Sequence, residues 1–92
     1  MSHNITVYRL REFGSDGTLV MILAFPWSTE IILVRPQTKE VRERFFDVKG
    51  LTLTGNVLRF TAVNLFSGER YERTLGVDTD DVRTLNLEPV VS

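Results

Sequence analysis

Between Asn56 and Val77, apolar and polar positions alternate on both sides of Ser67 and Gly68. This alternation, with a glycine where φ > 0 is needed, predicts a β-hairpin closed by a two-residue turn. In that register Phe66 faces Glu69, Leu58 meets Val77 and Phe60 meets Leu75 on one face. Thr61 meets Thr74, Val63 meets Glu72 and Leu65 meets Arg70 on the other. The apolar pairs collect on the first face, and a one-residue slip would scatter them.

The rest of the chain also reads as strands. Residues 5–11 have strand composition, and residues 13–17, with two Gly and an Asp, predict a turn. Residues 18–25 are apolar on both alternating sets, Leu19, Met21, Leu23 and Phe25 against Val20, Ile22 and Ala24. Such a run predicts a central strand covered on both sides. Pro26, Trp27, Ser28 and Thr29 break it, and a second apolar run over 30–35 ends at Pro36.

Residues 38–49 read two ways. As a helix they offer Thr38 as N-cap, a stripe of Val41, Phe45 and Val48, and Gly50 as the stop. As a strand they offer Val41, Phe45, Phe46 and Val48. The strand is preferred because the flanks are strands. Leu51 to Thr54 alternate and meet a turn signal at Gly55 and Asn56. Asp78, Asp80 and Asp81 predict a tight polar turn or one helical turn, after which Leu85, Leu87 and Val90 form a last strand. Six to eight short strands with regular turn signals predict a mostly-β protein, a small sandwich or barrel forming one domain over 1–92. One short helix near 38–49 is the variant.

Composition narrows the function more than the fold. A chain of 92 residues buries about 60–65% of its unfolded surface, enough for one core. With no cysteine, disulfides, thiolate zinc sites and cysteine nucleophiles are excluded, and a reducing, cytoplasmic setting is expected. The polar first residues do not resemble a secretory signal, and the apolar region over 18–34 is interrupted too often to span a membrane as a helix. The net charge of -1 offers nucleic acid no strong global attraction. Nine Arg against two Lys suit an interface, although a GC-rich genome produces the same bias.

Catalytic equipment is sparse. His3 is the only histidine and stands beside the terminus. A serine triad, a thiol nucleophile and a histidine metal site all lack parts, so no enzyme, metal or cofactor is expected. Asp78, Asp80 and Asp81 are the best oxygen-ligand group. Val82 stands where a third alternating ligand belongs and no Gly follows, so turn formation explains the cluster better than calcium.

Two binding functions remain. A helix at 38–49 would give the element order of an OB-like barrel, which binds single-stranded nucleic acid on aromatic platforms and basic grooves. Tyr8, Arg9, Arg59, Arg70, Tyr71 and Arg73 could supply them, but Glu72 partly cancels Arg59 and Arg70. The preferred expectation is a non-enzymatic module with a protein–protein interface, its partner another protein or a second copy in a homo-oligomer. Trp27, Val63, Leu65 and Phe66 are the expected apolar anchors and Arg70 and Arg73 the polar rim. Trp27 serves this role only if it projects from its turn instead of folding back on the core.

Overall fold

A computed structural model describes residues 3–11 and 17–87. Six antiparallel strands follow one another as β1 (His3–Leu10), β2 (Leu19–Ala24), β3 (Thr29–Arg35), β4 (Glu40–Thr54), β5 (Val57–Val63) and β6 (Arg70–Leu87). Each pairs with its sequence neighbours, and β1 closes onto β6 to complete a barrel. The predicted turn at 13–17 and the contribution of Val90 lie outside the described residues, apart from Gly17. Among those residues there is no helix, so none long and apolar enough to cross a membrane. The short helix near 38–49 and the OB-like element order are therefore not adopted.

The core fills the barrel with one inward residue in two: Val20 and Ile22, Ile31 and Leu33, Leu58, Phe60 and Ala62, Leu75 and Val77. Phe45 and Phe60 meet edge-to-face at its centre, 5.1 Å apart with planes at 75°. A closed barrel has a single interior, which corrects the expectation that β2 is covered on both sides. Val20 and Ile22 are buried, whereas Leu19, Met21 and Leu23 lie half-buried on the outside. There they shield one another and their cross-strand partners, Met21 lying between Val7 and Ile32.

β4 shows why its sequence resembled a helix. Asp47 (φ 49°) and Gly50 (φ 64°) adopt left-handed backbone, and the register with β5 shifts at each. The extra residue at Asp47 resets the alternation, so Phe45 and Val48, three apart, both face the core. The same bulges bend the strand. Its first half pairs with β3 as far as Phe45, and its second half pairs with β5 from Phe46 onward.

β6 bends in a comparable way. The tight turn expected at Asp78, Asp80 and Asp81 is not a chain reversal, because β6 continues through it. Residues 79–82 lie opposite Tyr8 alone, between the pairs Arg9 with Asp78 and Val7 with Arg83. Asp78 Oδ1 accepts from the Asp80 amide at 3.0 Å, so the aspartate turn chemistry is present inside a bulged strand.

The hairpin of β5 and β6 forms with the predicted faces but with its register displaced by two. Leu58 pairs with Leu75, Phe60 with Arg73, Ala62 with Tyr71 and Val63 with Arg70. A two-residue shift leaves every side chain on its face, so the apolar stripe does not distinguish the two registers. Loop chemistry does. The Asn64 amide donates to the Glu69 carbonyl at 2.8 Å, leaving a four-residue loop of Leu65, Phe66, Ser67 and Gly68 in place of the two-residue turn.

Candidate interaction surface

The β5–β6 loop bonds its own backbone almost completely. Asn64 Oδ1 accepts from the amides of Phe66 (2.9 Å) and Ser67 (3.3 Å). The Asn64 carbonyl accepts from the Gly68 amide at 2.7 Å, and Ser67 Oγ accepts from the Glu69 amide at 3.2 Å. Four consecutive amides thus find acceptors without leaving the loop. Gly68 completes the reversal at φ 73°, where a side chain would be strained. With the backbone satisfied inward, the side chains point outward: Leu65 is 65% exposed and Phe66 is wholly exposed.

The polar residues beside this tip are fixed by partners. Arg70 Nη2 meets Asp47 Oδ2 at 2.6 Å, while Arg70 Nη1 donates to the Asp47 carbonyl and to Thr61 Oγ1, both at 2.9 Å. The side chain therefore crosses β5 and clamps the β4 bulge. Arg73 lies on the inward-facing set, its guanidinium 5.2 Å from the Phe45 ring centroid and its Nη1 3.0 Å from Glu43 Oε1. On the outer face Arg59 Nη2 pairs with Glu72 Oε1 at 2.9 Å, the cancellation expected from the sequence.

Trp27 projects from the β2–β3 turn. It is 71% exposed, and its ring lies parallel to that of Phe25 at 5.2 Å. Successive connections of an up-and-down barrel alternate between its ends, so this turn and the β5–β6 loop leave opposite ends. Of the six expected interface residues, Val63, Leu65, Phe66 and Arg70 share one hairpin tip. Arg73 faces inward and Trp27 stands apart.

Two further features were not identified from the sequence. A cleft of about 520 Å³ is lined by Val7, Tyr8, Arg9 and Leu19 with Pro36 and Gln37 of the β3–β4 turn. It joins residues distant in the chain, so no local signal marks it. Leu51 and Leu53 are 36% and 43% exposed although they lie in a strand, and their alternation with Thr52 and Thr54 was the available signal. His3 opens β1 opposite Leu87. Among the described residues no three His, Cys, Asp or Glu side chains gather to hold a metal.

The chain matches no protein-family model, no curated protein and no solved structure. Fold and surface together define a small closed six-stranded antiparallel barrel with an apolar, internally bonded loop at one end.

Proposed function

We infer that this protein is a non-enzymatic binding module of the cytoplasm that engages a partner protein through the β5–β6 loop. The supporting observation is Phe66, a wholly exposed aromatic ring on a loop whose backbone is already bonded. A rigid aromatic loses little conformational entropy on binding, and such residues dominate interface energetics. Leu65 widens the apolar contact, and Arg70, held by Asp47, borders it. The fitting partner offers an apolar pocket for one ring with acceptors at its edge.

The oligonucleotide-binding alternative has less to draw on. Arg59, Arg70 and Arg73 each sit within 3.0 Å of a carboxylate oxygen, which reduces the positive field a phosphate backbone would meet.

A photo-crosslinking amino acid placed at position 66, with position 74 as control, tests the reading in cells. A discrete protein adduct from 66 that is absent from 74 supports it. Loss of the same partner from a Leu65→Ser, Phe66→Ser double variant with unchanged thermal unfolding supports it further. Equal capture by the double variant and the parent refutes it.

A further inference from the structure

We propose that the outer edge of β4 over residues 50–54 pairs with the same segment of a second copy of this chain, giving a two-fold dimer. This surface is separate from the β5–β6 loop, and the proposal does not rest on the reading of that loop.

The first observation is the division of β4 between its neighbours. Its ladder with β3 stops at Phe45, and from Phe46 to Thr54 its described ladder is with β5 on one side only. Residues 49–54 are all exposed. Among the described residues, no strand pairs with the side of β4 away from β5 over this stretch, which leaves that edge as a template for another strand.

The second observation is the sequence along that edge. Gly50, Leu51, Thr52, Leu53 and Thr54 carry no charge and no proline, so past the bulge at Gly50 two of the usual protections against strand addition are missing. The later part of β6 differs. Beyond its ladder with β5, which ends at Gly76, its sequence carries Asp78, Asp80, Asp81 and Arg83.

The third observation selects the occupant. Antiparallel pairing about Thr52 places Thr52 opposite its own copy, and each Leu51 opposite the other chain's Leu53. The segment is thus self-complementary, as a two-fold interface requires. Leu53 pairs with Leu58, whose side chain is buried in the core, so Leu53 lies on the core side of the hairpin. Two Leu51 and two Leu53 side chains would then form one cluster continuous with both barrel interiors, which accounts for apolar residues left exposed there.

Sedimentation velocity on the full chain over a range of concentrations tests this, with Leu53→Lys, Phe66→Ser and Thr52→Cys variants. The expected result is a reversible dimer in the parent and in Phe66→Ser. In Leu53→Lys the dissociation constant should rise by about tenfold or more, because the substitution enters the interface twice. Because Leu53 is partly exposed, this variant is expected to fold, and its thermal unfolding serves as the control. The chain lacks cysteine, so Thr52→Cys should form a disulfide-linked dimer under a mild thiol oxidant, whereas Thr54→Cys, facing Gly50 of the other chain, should not. A parent that stays monomeric at about 100 µM, far above the concentration at which a micromolar dimer forms, would overturn the proposal. So would a dimer that survives Leu53→Lys unchanged or is lost in Phe66→Ser.

Discussion

Asp47 is one of two described non-glycine residues with positive φ. Aspartate tolerates left-handed backbone better than most residues, and here its carboxylate and carbonyl both bind Arg70. Conformation and contact are separable by substitution. Asp47→Ala loses the carboxylate and also places a poorly suited residue at φ 49°, so it should cost about 1–3 kcal/mol. Asp47→Gly loses the same carboxylate but relieves the backbone, so it should cost less than Asp47→Ala. Urea unfolding of the two variants measures the order, and the reverse order would mean that backbone conformation is not limiting. The exposed pair of Arg59 and Glu72 is a useful contrast. Both side chains are more than half exposed, and such a pair contributes on the order of 0.2–1 kcal/mol.

At the level of the element, the β5–β6 hairpin divides stability and recognition between adjacent residues. Asn64 accepts two amide hydrogen bonds through its side chain, so Asn64→Ala leaves both donors to water and loosens the loop. A loss of about 1 kcal/mol is expected, seen as a melting temperature lower by about 4–8 °C in a domain of this size. Phe66→Ser removes a ring that touches little and should change stability by less than about 0.5 kcal/mol. Calorimetry on both variants checks the division. A large destabilisation by Phe66→Ser would show that the ring packs against the barrel and would remove it as an anchor. Period-two patterning made the faces of this hairpin legible, but it could not fix the register. Asn64, an ordinary polar residue within a strand-like run, became the register-setting residue through its loop bonds.

At the scale of the whole molecule, the barrel closes where β1 pairs with β6, joining the two ends of the described chain. The β5–β6 hairpin needs only a short loop, while the seam needs the entire meander in place. Ile5, a buried β1 residue in register with Leu23 of β2 and with position 85 of β6 across the seam, should therefore act late in folding. Ile5→Ala is expected to speed unfolding and leave the folding rate nearly unchanged. Phe60→Ala, costing about 3–5 kcal/mol, should slow folding as well. Stopped-flow chevrons separate the two, and a folding arm slowed mainly by Ile5→Ala would place the seam in the folding nucleus. By itself, the sequence determined whatever depends on local alternation: six to eight strands, and Leu58, Phe60, Leu75 and Val77 on one inward face. Tertiary structure alone decided that β2 has a single buried side, that Asp47 and Gly50 divide β4 between two neighbours, that Arg73 turns inward, and that Leu51 and Leu53 meet solvent. Alternation records which side of a strand a residue occupies, but whether that side is covered depends on strands distant in the chain.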